Sequence, residues 1–198
     1  MNRHAYFEDL AEQDDPLAFK PEQAATVERF RVRLGDLRGK RVFEPGCGAG
    51  PLTTLLADWV GPGGHVLALD SSARMVARCK AAVAGLTEVQ VLQARAEDAI
   101  LVAGSWDLVL CFRFYPHLED ADLFLRRCQS ALAPGGELVV ANLEGSRELN
   151  RLHARLPGVR DDAMPSGEAL RCQLEARGWE VTEVIDEPQE FFLRAHPA

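Results

Sequence analysis

Several chemistries are missing from this chain. Its five cysteines, Cys47, Cys79, Cys111, Cys128 and Cys172, are odd in number and widely spaced, and no C-x-x-C pair occurs. That excludes a zinc knuckle and a disulfide framework and makes a reducing, cytoplasmic setting the expectation. No closely spaced histidine pair supports a metal site, so none is expected, and no Ser/His/Asp group is evident. Basic residues number 22 against 30 acidic, a net charge of −8, and they form no cluster. A phosphate-tracking surface is therefore lacking, and nucleic acid is not the expected partner. No apolar run approaches the length of a membrane span. The opening MNRHAYFEDL has no apolar core of a secretory signal. No repeat, low-complexity stretch or linker marks a second domain.

What remains fits one α/β domain over 1–198. The chain is 47% hydrophobic and 26% charged, enough to bury a full core at this length. Short apolar strands are predicted at 41–44, 65–70, 88–93, 107–112 and 137–142. Helical patterns separate them at 51–60, 72–84 and 118–132, which implies a parallel sheet covered on both faces. An N-terminal helical cap segment, 1–37, contains a helix over 21–34 begun by Pro21. A charged lid or connecting segment occupies 143–166. A helix follows, with Ser166 as N-cap and Gly178 beyond its end. The chain closes with WEVTEVID, a turn at Glu187–Pro188, and EFFLRAH, read as a hairpin.

The densest signal is VFEPGCGAG at 42–50. An apolar strand runs into Glu44, then into Gly46, Gly48 and Gly50, then into a helix. Glycine permits the left-handed backbone and close approach that a ligand-binding turn requires. A dinucleotide fingerprint, G-x-G-x-x-G, would put its third glycine where Pro51 stands, and a carboxylate at Glu44 would repel a diphosphate. Asp70 ends the second strand, twenty residues after Gly50, where an acid can accept both hydroxyls of a ribose.

The pattern E-x-G-x-G-x-G resembles the first motif of class I S-adenosylmethionine-dependent methyltransferases. LAPGGELVVAN at 132–142 and WDLVLCFRFYPHLED at 106–120 are similar to that family's turn before the fifth strand and its fourth-strand motif. The opening HAYFEDLAEQDDP resembles small-molecule members of the ubiquinone/menaquinone-biosynthesis-like group. The resemblance implies a three-layer, Rossmann-like, seven-stranded, mostly parallel sheet with helices on both faces and an antiparallel final strand. It implies S-adenosyl-L-methionine as cofactor and an unidentified small-molecule acceptor, in a monomer or homodimer away from membranes.

Under that resemblance, Glu44 faces the cationic methionine end of the cofactor, with Gly46, Cys47, Gly48 and Gly50 forming the turn. Cys47 is read as a small filler rather than a nucleophile. Asp70 meets the ribose. Ser71 and Met75 border the adenine, as do Ala96 and an acid chosen from Glu97 and Asp98. Cys111 and Phe112 lie beside the methionine part, and Arg113, Phe114, Tyr115 and His117 face the methyl donor or the next helix. Methyl transfer from a sulfonium needs a base only if the acceptor arrives protonated; the candidates are His117, Tyr115 and His4. Tyr6, Phe7, Phe114 and Tyr115 are expected to wall the acceptor. Two other readings remain: a non-catalytic cofactor-binding or regulatory subunit of the same fold, and an NAD-linked oxidoreductase.

Overall fold

A computed structural model describes residues 2–198. The helices are α1 (Arg3–Leu10), α2 (Ala24–Leu34), α3 (Pro51–Val60), α4 (Ala73–Ala82), α5 (Ala121–Ala131), α6 (Ser146–His153) and α7 (Gly167–Glu175). The strands are β1 (Arg41–Pro45), β2 (His65–Asp70), β3 (Val89–Gln93), β4 (Trp106–Phe112), β5 (Leu132–Asn142), β6 (Trp179–Glu187) and β7 (Glu190–Pro197). They form one seven-stranded sheet in the order β3-β2-β1-β4-β5-β7-β6. Strand β7 runs antiparallel to β5 and β6, and the other pairs are parallel.

The central strands β1, β2 and β4 are apolar and buried nearly throughout because both faces of the sheet are covered there, while the edge strands β3 and β6 carry polar, partly exposed residues. Alternation along β4 divides its side chains: Leu108 and Leu110 join Phe30, Leu52 and Leu56 on one face, while Val109 and Cys111 join Phe124, Leu125 and Leu170 on the other. Each such side chain, fully buried, contributes about 1.5–3 kcal/mol from area alone, an upper figure before chain entropy is counted.

Helix starts follow local side-chain chemistry. Ser72 caps α4 by accepting from Met75 N at 3.1 Å, and Ser166 caps α7 from Ala169 N at 3.3 Å. The helix predicted at 118–132 begins only at Ala121. Asp120 accepts from Leu123 N at 2.8 Å to cap it, and Tyr115–His117, with Pro116 inside, forms a separate 3-10 turn. Strand β5 starts five residues earlier than predicted, because Leu132 still pairs with Trp106 across a register shift that separates it from the Leu108–Glu137 pair.

The 143–166 segment is tied down at both ends by one carboxylate. Asp186 of β6 accepts from Ser146 N at 2.8 Å and from its hydroxyl at 2.6 Å, and from Gly167 N at 2.9 Å. Helix α1, whose start is capped by Asn2 accepting from Ala5 N at 2.8 Å, reaches the same region from the other end of the chain. Its Arg3 pairs with Asp162. Among the described residues no helix is long and apolar enough to cross a membrane.

Candidate active site

A cavity of about 500 Å³ lies at the carboxyl ends of β1, β2, β4 and β5, closed over by α1 and α6. This is where open α/β sheets bind ligands, beside the point at which strand order reverses between β1 and β4.

The glycine turn after β1 is held against β2. Gly46 N and Cys47 N both donate to Leu69 O, at 2.7 and 2.9 Å. Gly48 N donates to Asp70 Oδ2 at 3.0 Å, and Ser72 N to Oδ1 at 2.9 Å. Asp70 therefore braces the turn as well as facing the cavity. Burial raises its carboxyl above the ordinary value, and the Ser72 and Gly48 amides oppose that rise.

The glycines serve different ends. A Cβ on Gly46 would collide with the Phe114 ring, and one on Gly48 would come 2.6 Å from Leu17 Cδ1, at the cavity. Gly50, at φ 92, instead lies against α4, where a Cβ would sit 2.9 Å from Cys79 Sγ and 3.2 Å from its Cα. Gly50 is thus a helix-packing residue and does not line the cavity.

Glu44 is buried, lines the cavity and accepts from the Thr53 hydroxyl at 2.8 Å. Burial pushes its carboxyl up to about 8, against the Thr53 hydrogen bond. A cationic group arriving at this carboxylate would supply the charge that burial denies it. Cys47 is buried, and its thiol is raised well above the ordinary value by its hydrogen bond with Cys79 and by burial. It is an inert filler rather than a nucleophile.

On the opposite wall, His117 Nδ1 lies 2.7 Å from Asp162 Oδ2. Arg3 Nε donates to the same oxygen at 2.8 Å, and Arg3 also pairs with Oδ1. Burial alone would raise the Asp162 carboxyl, but His117 and Arg3 hold it below the usual range. An ionised Asp162 can only accept, so Nδ1 carries the proton and Nε2 is left as a lone-pair nitrogen. Among the described residues no protein group bonds to that Nε2. Burial lowers the imidazole's pKa, with Asp162 acting against it, which favours the neutral ring. His153 donates from Nδ1 to Asp162 O at 2.6 Å, and its ring lies 5.3 Å from that of His117, centre to centre. Phe7 packs edge-on against His117 at 5.2 Å.

Most of the residues expected from the sequence meet at this one cavity: Glu44, Gly46, Cys47, Gly48, Asp70, Ser71, Ala96, Glu97, Phe112, His4 and His117 all line it. Others do not. Tyr115 is a core residue packed with Phe124 and Cys128, and burial raises its phenol far above the ordinary value. It can neither act as a base nor wall an acceptor; Tyr6, Phe7 and Phe114 do form the wall. Cys111 falls on the sheet face under α5 by strand alternation, and Met75 points inward from α4, so both are core residues away from the lining. Glu97 has a structural task besides its place in the lining. Its Oε1 accepts from Glu119 N at 2.7 Å and from Asp120 N at 3.3 Å, fixing the chain before α5. Asp162, His153, Arg3, Leu17 and Asn142 were missed. Only Asn142 carried a signal, as a polar residue ending an apolar strand.

Among the described residues no group of three or more His, Cys, Asp or Glu could hold a metal. A sheet of order 3-2-1-4-5-7-6 with an antiparallel β7, a glycine turn after β1 and an acid ending β2 is the Rossmann-like fold of class I S-adenosylmethionine-dependent methyltransferases.

Residues 42–136 match the family described as methyltransferase domain. The chain is 37% identical over 131 residues to a ubiquinone biosynthesis O-methyltransferase of Caulobacter sp. (strain K31), covering 64% of this chain and 50% of that protein. It is 34% identical over 113 residues to that of Cronobacter sakazakii, covering 56% and 45%. The chain spans about half the length of these curated relatives. Among solved structures, a SAM-dependent methyltransferase from Aquifex aeolicus superposes with a TM-score of 0.73 at 22% identity, over 91% of this chain and all of that one. A DhpI–SAH complex superposes with a TM-score of 0.75 at 24% identity, over 99% and 95%. At these identities the likeness is one of fold.

Proposed function

We propose that this protein transfers a methyl group from S-adenosylmethionine to a hydroxyl of a small-molecule acceptor. The observation that carries the reading is that His117, held by Asp162, lines the same cavity as the glycine turn, Glu44 and Asp70. The residues present suit the cofactor. Asp70 would accept from the ribose hydroxyls, Glu44 would meet the methionine ammonium, and Ser71, Ala96 and Glu97 would border the adenine. The bound cofactor supplies a methyl group on a sulfonium, which leaves readily.

The chain's own residues orient the acceptor and move one proton. His117 Nε2 would take the proton of the acceptor hydroxyl as that oxygen receives the methyl group the bound cofactor would supply. Asp162 holds the ring in the tautomer that leaves Nε2 free and stabilises the imidazolium that results. Tyr6, Phe7 and Phe114 exclude water from the reacting groups. The names of the O-methyltransferase relatives agree with a hydroxyl acceptor. The absence of a basic cluster supports a metabolite rather than nucleic acid, and the cysteine pattern supports a cytoplasmic setting for a monomer or homodimer.

Calorimetry with S-adenosylmethionine and S-adenosylhomocysteine tests the reading. Micromolar binding of both is expected; no heat and no thermal shift at millimolar ligand would overturn it.

A further inference from the structure

The acceptor side of the cavity holds a charge that methyl transfer leaves unused. Three arginines line the cavity: Arg3, Arg95 and Arg113. Arg3 is paired with Asp162, and Arg95 with Glu97 and Glu119. The Arg113 guanidinium has no ion pair and no hydrogen bond among the described residues. Its backbone is held at φ 53, a left-handed conformation unfavourable for a residue with a Cβ, while its N donates to Ala141 O at 2.8 Å. Strain of this kind persists where the surrounding structure needs a side chain aimed in one direction.

The next residue on β5, Asn142, is 3% exposed and lines the same cavity, and neither its Nδ2 nor its Oδ1 has a partner. A buried amide with both ends unpaired is rare in a folded protein and marks a place where a ligand completes the bonding. A guanidinium fork matches an anionic oxygen pair, and the amide adds a further donor.

Arg113 follows β4 and Asn142 ends β5, so both lie on the side of β1 opposite to Asp70 at the end of β2. The charged groups that bear on the guanidinium are Glu144 and Tyr6, not Glu44 or Asp70, and burial lowers its pKa. Glu144 does not line the cavity. The unpaired cation thus belongs to the acceptor's half of the site rather than to the glycine turn.

We propose that Arg113 and Asn142 form an anion subsite for the methyl acceptor, which makes that acceptor a small hydroxylated carboxylate. The inference rests on the methyltransferase reading. The acceptor's carboxylate pairs with the Arg113 guanidinium and takes a hydrogen bond from Asn142 Nδ2, and its hydroxyl is presented to His117 across the cavity. The net charge of −8 does not oppose this, because the local sign at the subsite decides.

The same oxygen chemistry could come from the carboxylate of the cofactor's own methionine end, and the test separates the two. Parent, R113Q and N142D proteins are first titrated with S-adenosylhomocysteine. Then, saturated with it, they are titrated with glycolate, salicylate, 4-hydroxybenzoate and 3,4-dihydroxybenzoate, each against its carboxamide. The expected result is S-adenosylhomocysteine affinity within about 3-fold of the parent in both variants. At least one acid should bind the parent 10-fold or more tighter than its amide, and that preference should be lost in both variants. R113K, which keeps the charge, should retain part of it and guards against misfolding, as does an unchanged melting curve. If R113Q lowers S-adenosylhomocysteine affinity 10-fold or more, the guanidinium serves the cofactor and the subsite proposal is overturned. If no acid outbinds its amide, it is overturned as well. Failure of the parent to bind S-adenosylhomocysteine would instead overturn the methyltransferase reading.

Discussion

His117 and Asp162, 45 residues apart in the chain, meet with Nδ1 and Oδ2 2.7 Å from each other. His117 belongs to the turn after β4, and Asp162 to the coil between α6 and α7. The contact fastens the 143–166 segment over the cavity and sets the imidazole tautomer at once. His117→Ala is expected to lower kcat by about 100-fold or more on a hydroxyl acceptor, the range for loss of a general base. It should leave S-adenosylhomocysteine affinity nearly unchanged. Asp162→Asn should cost at least about 10-fold, because an amide can hold the wrong tautomer. The parent's kcat/KM should rise with pH through a value below 6.5, since burial lowers the His117 pKa, and level off by neutrality. A parent rate independent of both residues would remove His117 from the reaction.

Glu44 makes stability depend on pH in a defined direction. Its carboxyl is pushed up to about 8 in the folded protein from an ordinary 4.5. Between those values the folded state holds the proton that the unfolded state has released, so this group's contribution falls as pH rises from 4.5 to 8. Glu44→Gln should remove that slope and, at pH 8.5, should be more stable than the parent by about 2–5 kcal/mol relative to the difference at pH 4.5. Urea unfolding of both proteins at the two pH values measures it. Parallel stability curves would mean that Glu44 is ionised in the empty site.

Binding of a cationic ligand at Glu44 should also release a proton near pH 7.5. Titration of S-adenosylmethionine into the parent in phosphate and in Tris, whose ionisation heats differ, should give different apparent enthalpies. The difference should vanish in Glu44→Gln.

Asp70 separates binding from bracing. Asp70→Ala loses the acceptors for Gly48 N and Ser72 N as well as any ribose contact, and should weaken S-adenosylhomocysteine binding by about 1–3 kcal/mol. Asp70→Asn keeps one carbonyl oxygen and should fall between. Equal affinity in all three proteins, by calorimetry, would leave Asp70 as a turn brace alone.

The glycines should divide by measurement. Gly50→Ala puts a Cβ against Cys79 at positive φ and should cost about 1–3 kcal/mol of stability. Gly48→Ala meets only the end of the Leu17 side chain, which can shift, and should chiefly reduce cofactor affinity. Tyr115→Phe, in the core, should change kcat by less than about 2-fold. A large loss of activity in a stable Tyr115→Phe protein would contradict its placement.

The strand-and-helix order was legible because it rests on short-range chemistry. Val42–Phe43 and Leu108–Leu110 are apolar on both faces, Ser72 and Ser166 are N-caps, and the three glycines stand where the turn needs them. That Glu44, Asp70 and His117 line one cavity was legible because strand ends in such a sheet point at one place. Which side of a strand a residue faces was less so: Cys111 and Tyr115 look like neighbours of Phe112 and His117 in sequence, yet alternation and the 3-10 turn send them into the core.

The sequence by itself determined the alternating architecture and the glycine-turn half of the site, since both follow from local backbone preference and hydrophobic period. Only the tertiary structure decided the other half. Asp162 beside His117 and Arg3 beside Asp162 are contacts between segments far apart in the chain, and Arg113 and Asn142 reach one cavity from different strands. No local pattern encodes them, because each depends on how α1 and the 143–166 segment close over the ends of β4 and β5.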